Sequence, residues 1–359
     1  MDMMLNSLPS RTWNRLGINE SFIKIENESK EKKPEVSGNL TQAIYTENAG
    51  EGLRWPDMIT GMGKDMNLLT EKDDLLTIRT EAGVHMETPV ILTYTYENEE
   101  YATGSIRLHA EKGSSLSAIL VLASKDKQDK GLSAIQTKIV AEEGANVHLY
   151  VVQILGKGYT CLNDIGGVLE QEASVKLTKL WLGAGKTYVG THMDLKGNES
   201  SFQTEIGYHV HGDQKLDMNY VALHHGKKTN SLMEVNGTLE EGAEKVFRGS
   251  IDFKQGSAGS KGTENENVLL LGDNMINQTI PLILCTEEDV EGNHGASIGR
   301  LDDKVLFYLS TRGIAEEDAQ QIMAQSRIDA VCEKIPDETI QEMIHNFEDE
   351  RGVFYVAGE

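Results

Sequence analysis

Between about Leu75 and Leu284 the chain repeats itself. The segments Lys112-Gly-Ser-Ser-Leu, Glu143-Gly-Ala-Asn-Val, Gln171-Glu-Ala-Ser-Val and Asn198-Glu-Ser-Ser-Phe each set a polar turn before an apolar residue that opens a strand. Those apolar residues, Leu116, Val147, Val175 and Phe202, recur at intervals of about 30, within the range of stacked repeat architectures. Glu241-Gly-Ala-Glu-Lys-Val reads as a later copy. A unit of strands and turns with no intervening helix cannot bury its apolar face alone, but it can do so by stacking on its neighbours. The pattern therefore predicts a mainly β protein built as a parallel β-helix. A β-sandwich is the competing reading, although its turns would come at tighter intervals of about 8–12 residues.

The flanks differ from this middle. Residues 1–75 form an N-terminal mixed or helical region. Within it, Glu26 to Val36 is rich in Glu, Lys and Ser and reads as a mobile surface segment, and Leu40 to Glu47 fits short helices. Residues 76–285 are the β-helix core. From 286 to 359 the period changes to that of helices. Leu301, Val305, Tyr308 and Leu309 share one helical face, with Asp302 or Asp303 at its start and Gly313 as its stop. A second helix runs from Glu316 to Cys332. A third follows Pro336, with Ile340, Met343, Ile344 and Phe347 at i, i+3, i+4 and i+7.

Composition excludes some functions. A net charge of −23 opposes phosphate backbones and anionic surfaces, so neither nucleic acid nor a membrane is expected as a partner. The first residues carry no basic stretch followed by an apolar core, and no run approaches a membrane span. Cys161, Cys285 and Cys332 are odd in number and far apart, so they form no disulfide framework and no CxxC pair. A cytoplasmic protein is expected.

Local motifs are weak individually. Gly183-Ala-Gly-Lys-Thr resembles the end of a phosphate loop, but Leu180 stands where the first glycine is needed and a strand, Tyr188 to Leu195, follows; it reads as a turn. His209 and His211 share a strand face with Asp213, Asp217, His224 and His225 nearby, a spacing that suits either a metal or a solvated surface. There is no HExxH helix. His294, between an acidic stretch and Gly295, stands at the junction of strands and helices. Its imidazole suits iron ligation, proton relay or a hydrogen bond within a turn.

Asn293-His-Gly-Ala-Ser-Ile-Gly-Arg-Leu-Asp and Leu306-Phe-Tyr-Leu-Ser-Thr-Arg-Gly-Ile resemble the C-terminal signature of the SufB/SufD family of iron–sulfur cluster assembly proteins. Phe247-Arg-Gly-Ser-Ile-Asp-Phe-Lys, Asn267-Val-Leu-Leu-Leu-Gly-Asp and Asn277-Gln-Thr-Ile-Pro-Leu-Ile-Leu resemble the same family. The resemblance implies a right-handed parallel β-helix with terminal helical regions, and dimerisation through it. It also implies docking of the C-terminal helices, through Leu306, Tyr308, Leu309 and Arg312, onto a SufC-type ABC ATPase. A non-enzymatic scaffold would then pair with a SufB-like paralogue, or with itself, around a transient iron–sulfur cluster at the subunit interface.

The His-Gly-Ala string is closer to the SufD type, because Gly295 stands where the SufB type has glutamate. SufB's key cysteine falls near Glu266, and a cysteine frequent in the SufD type falls at Gly292. His294 is thus the one site residue the resemblance carries over, as a cluster or metal ligand. A cluster takes about four protein ligands, mostly thiolates, so the isolated chain is not expected to hold one stably. Outside the family, a β-helical carbohydrate-active enzyme would need paired carboxylates and a groove lined with aromatics.

Overall fold

In the computed structural model, residues 1–12, 15–46, 55–71, 73 and 75–349 are described. The middle of the chain is a parallel β-solenoid of about eight turns. Each turn contributes one strand to each of two facing sheets. The first sheet stacks Leu75–Thr80, Glu100–Ala110, Lys130–Ala141, Gly158–Leu169, Lys186–Leu195, Lys215–His224, Glu244–Phe253 and Ile276–Cys285 in parallel. The second stacks Val90–Tyr96, Ser115–Ser124, Asn146–Ile154, Ser174–Trp181, Ser201–Val210, Asn230–Glu240, Ser260–Leu271 and Val290–Gly299.

The expected repeat is the solenoid's own period. Leu116 pairs with Val147, Val147 with Val175, and Val175 with Phe202, a column of buried side chains along the interior. The polar turns before them stack as well. The N–H of Gly113 donates to Glu143 O at 2.9 Å, Gly144 to Gln171 O at 2.8 Å, Glu172 to Asn198 O at 2.8 Å and Glu199 to Lys227 O at 2.8 Å. All four donors hold left-handed backbone, with φ of 64°, 68°, 56° and 61°. Glycine adopts that conformation freely, whereas the two glutamates hold it at a cost.

Both outer faces are covered, which explains why strands such as Ser115–Ser124 read as continuous apolar runs. Leu116, Ala118, Leu120 and Leu122 point inward, while Ile119, Val121 and Ala123 lie under the C-terminal helices. Those helices are α2 (Asp303–Thr311), α3 (Glu316–Cys332) and α4 (Glu338–Asp349), following the short α1 (Lys64–Thr70). Ile328, Val331, Cys332, Ile335, Ile340 and Ile344 form the buried contact of α3 and α4 with the second sheet. Asp302 caps α2 by accepting from Lys304 N–H at 2.8 Å, and Gly313 ends it with φ 82°. Asp337, rather than Pro336, opens α4, accepting from Ile340 N–H at 2.9 Å.

On the first sheet lie the hairpin Asp2–Leu5/Ser21–Lys24 and α1 with the turn before it, which bury Met3, Leu5, Met62 and Met66 against Leu132, Ala134, Leu162 and Tyr188. An ionic anchor fastens this arm. Arg248 Nη1 donates to Asp217 Oδ1 at 2.6 Å and Arg248 Nε to Ile18 O at 2.7 Å, with both charged side chains 1% exposed.

Three expectations are corrected. Lys30–Glu31, inside the stretch read as mobile, and Glu35–Gly38, which begins at its end, are strands that pair with Glu100–Ala110 and Val90–Tyr96. Ile44–Thr46, read as helical, is a strand antiparallel to Leu75–Thr80; Glu47 lies outside the described residues. The pairing partners of these polar pieces lie far along the chain, so local composition misleads. The solenoid also runs beyond the expected boundary at 285, because Val290–Gly299 adds a strand that is solvent-exposed and carries little apolar signal.

The two ends of the solenoid therefore differ. Antiparallel strands Glu35–Gly38 and Ile44–Thr46 close the N-terminal end. At the other end, Ile276–Cys285 and Val290–Gly299 are the terminal strands of their sheets.

Candidate functional site

His294 stands in the last strand, not in a turn. Strand alternation assigns its direction. Ser260–Leu271 turns Gly262, Glu264, Glu266 and Val268 inward, as the contact of the Gly262 position with Ile251 and the burial of both glutamates show. Parallel register sets Glu264 beside His294 and Glu266 beside Ala296. His294 thus belongs to the interior-facing row of the final coil, and it is exposed because no further coil covers it.

Beneath it lies a charged cluster. Lys245 Nζ donates to the Glu266 carboxylate and to Thr279 Oγ1 at 3.1 Å, and Thr279 Oγ1 donates to Glu266 Oε2 at 2.5 Å. The side chains of Lys245 and Glu266 are wholly buried. Burial lowers the Lys245 pKa despite the neighbouring Glu266. Glu264 has no hydrogen bond or ion pair among the described residues, and its carboxylate fills the space left by the absent side chain of Gly249. Burial and then the charge of Glu266 push its pKa up to about 8, with Lys245 pulling the other way. The mouth of the solenoid thus offers an imidazole, one carboxyl without a partner and one carboxylate already neutralised.

The cysteines do not converge on it. Cys161 is inside the solenoid and Cys332, the last residue of α3, is buried against the second sheet, and burial pushes both thiols up to about 12, away from the thiolate that metal binding needs. Cys285 is exposed, at the end of the other strand of the last coil. Among the described residues no group of three or more His, Cys, Asp or Glu side chains is placed to hold a metal ion.

The histidines upstream are dispersed. His209 lies on the outer face under α4, with Nδ1 3.1 Å from Glu348 and Nε2 2.7 Å from Glu240. The rings of His209 and His211 are 5.7 Å apart. His224 is inside, bonded to Thr229 and Ser231, whereas His225 is outside and 2.7 Å from Asp194. Asp217 is engaged by Arg248. The metal reading of this group has no common centre to rest on. The largest buried aromatics, including Trp181, Tyr94, Tyr96, Tyr208 and Tyr220, fill the core rather than an open groove.

The second exposed feature is α2. Leu306 and Leu309 are half-buried, while Phe307 and Tyr308 are 71% and 56% exposed. The Arg312 guanidinium lies 5.2 Å from the Tyr308 ring centre. Val305 is exposed beside them, so the apolar face is broader than Leu306, Tyr308, Leu309 and Arg312. No helix among the described residues is long and apolar enough to cross a membrane.

Comparison with known proteins gives a consistent result. The chain is 24% identical over 264 residues to the iron–sulfur cluster assembly protein SufD of Bacillus subtilis, covering 73% of this chain and 60% of that protein. It is 26% identical over 204 residues to SufD of Escherichia coli, covering 56% of this chain and 48% of that protein. The Arabidopsis thaliana chloroplastic SufBD family protein ABCI8 is 24% identical over 237 residues, 64% of this chain and 42% of that protein. The chain thus spans about half of the length of these relatives. The family profile described as SUF system FeS cluster assembly, SufBD core domain, matches residues 93–327 and so takes in the solenoid from within Val90–Tyr96 onward, His294, α2 and most of α3. The chain belongs to the SufBD core family of the SUF iron–sulfur cluster assembly system, with relatives of the SufD type.

Proposed function

We propose that this protein is a non-enzymatic scaffold subunit of the SUF machinery, joined at its open coil to a SufB-like paralogue and at α2 to a SufC-type ABC ATPase. The observation that carries the reading is the asymmetry of the solenoid. One end is closed by antiparallel strands, and the other leaves two terminal strands and an interior-facing histidine uncovered. An uncovered strand edge pairs readily with another chain, so natural proteins keep one open mainly where a partner fits. His294 would meet the nascent cluster at that junction. Since one histidine and scattered thiols cannot complete a cluster's ligand set, the partner supplies the remainder and the isolated chain holds none stably.

The exposed face of Val305, Phe307, Tyr308 and Arg312 supports the second contact. Aromatic and arginine side chains are the types that anchor interfaces. The reading places the complex in the cytoplasm. Self-pairing at the open edge is the competing arrangement. It would require cluster ligands from one kind of chain, and Glu266, near which SufB's cysteine falls, is already committed to Lys245.

The test is recovery of the tagged full chain from its native extract, with mass spectrometry and iron analysis. Co-recovery of an ABC ATPase and a cysteine-bearing paralogue supports the heteromeric scaffold. The ATPase with this chain alone indicates self-pairing, and recovery without any ATPase refutes the assignment.

A further inference from the structure

We propose that Glu264 is this chain's second ligand for incoming divalent iron, forming with His294 a carboxylate–imidazole half-site inside the mouth of the solenoid. The inference rests on the reading of His294 as a metal-site residue. It adds a residue that the local pattern, a glutamate in the polar strand segment Thr263-Glu-Asn-Glu-Asn, gives no reason to select.

Neighbouring parallel strands lie about 4.8 Å apart, so in-register side chains on one face stand side by side. Glu264 and His294 are such a pair, both in the interior row. A carboxylate oxygen and an imidazole nitrogen at that spacing can share one ion at distances of about 2.0–2.2 Å. Glu264 is 3% exposed, yet among the described residues it has no hydrogen bond or ion pair. The nearby cation is spent: Lys245 is bonded to Glu266 and Thr279. Burying a carboxyl without compensation is costly, and a cation arriving from the open end supplies what is missing. Gly249 fits this arrangement, because a Cβ there would lie 2.0 Å from Glu264 Oε2, so the carboxylate occupies a space only glycine leaves free. Oxygen and imidazole donors suit ferrous iron better than a thiolate-preferring cluster. The half-site therefore fits iron before sulfide is added, with water or the partner chain completing the coordination.

The test is an anaerobic titration of the full-length chain with Co2+, a spectroscopic stand-in for ferrous iron, followed by its visible absorption. The wild type, Glu264→Gln, Glu264→Met and His294→Ala are compared, with circular dichroism to check that each is folded. Both Glu264 replacements are close in volume to glutamate and remove an unpartnered carboxyl, so folding is preserved. The expected result is a fall of at least tenfold in affinity for Glu264→Gln, Glu264→Met and His294→Ala. The double variant Glu264→Gln/His294→Ala should be little weaker than either single one, because both side chains serve one ion. If His294→Ala loses binding while both Glu264 variants keep it, Glu264 is no ligand and the reading of His294 survives. If no variant changes the titration, both assignments fail.

Discussion

Replacing Arg248 by methionine is the sharpest test of how the N-terminal arm is held. The Arg248–Asp217 pair is buried to 1% exposure on both sides, and Asn6 Nδ2 and Ser21 Oγ also donate to Asp217, at 2.7 and 2.5 Å. Arg248→Met leaves the Asp217 charge buried with two neutral donors and deprives Ile18 O of its partner. Removing one member of a buried ion pair costs about 3–5 kcal/mol. Replacing both at once, as Asp217→Leu/Arg248→Met, removes the stranded charge and should recover most of that loss, a coupling of about 2–3 kcal/mol. Urea unfolding gives the stabilities, and limited proteolysis of the arm locates the damage. The arm should be cut faster in Arg248→Met and near the wild-type rate in the double variant. An Arg248→Met protein within about 0.5 kcal/mol of wild type, with an uncut arm, would refute the anchor.

Other perturbations follow from the same geometry. Glu172→Gly and Glu199→Gly should each stabilise by roughly 0.5–1 kcal/mol, because glycine relieves left-handed backbone, whereas Gly144→Ala should cost about 1 kcal/mol; melting temperatures decide. Glu264 has a folded pKa of about 8 against an unfolded value of 4.5, so its neutral form suits the fold. Its contribution is complete below about pH 4.5 and is lost as pH rises to about 8, a change of up to about 4–5 kcal/mol. Glu264→Met should flatten that part of the stability–pH profile, and an unchanged slope would contradict the assignment. Phe307→Glu and Tyr308→Glu should leave the melting temperature within about a degree, since both rings are exposed, yet weaken ATPase binding at least tenfold; unaltered affinity by calorimetry would remove α2 from the interface.

Much of this architecture is legible in the sequence for identifiable reasons. The column Leu116, Val147, Val175 and Phe202 recurs because each coil must bury its apolar row on the next, and the polar turns recur because their amides bond from coil to coil. The C-terminal helices announce themselves through caps and period, as at Asp302 and Gly313. What escapes local reading is long-range pairing. Nothing in Glu35–Gly38 states that it will meet Val90–Tyr96, and nothing in Val290–Gly299, largely polar and glycine-bearing, marks it as the solenoid's last strand.

Glu264 and Glu266 escape for a further reason. An alternating Glu/Asn strand suggests that the glutamates face water, but register turns them inward and leaves Asn265 and Asn267 on the outside. Lys245 is hidden in the same way: it reads as a surface lysine until Glu266 is found beside it. The motif supplied His294; only the fold supplied its neighbours.

The account stands or falls on whether His294 takes part in building a cluster. The decisive measurement is the iron and acid-labile sulfide acquired by the complex of this chain with its paralogue and ATPase, comparing wild type with His294→Ala. The account predicts that the variant assembles the same complex with the same ATPase affinity but acquires only a small fraction of the iron and sulfide. A variant complex that loads both at the wild-type level would contradict it.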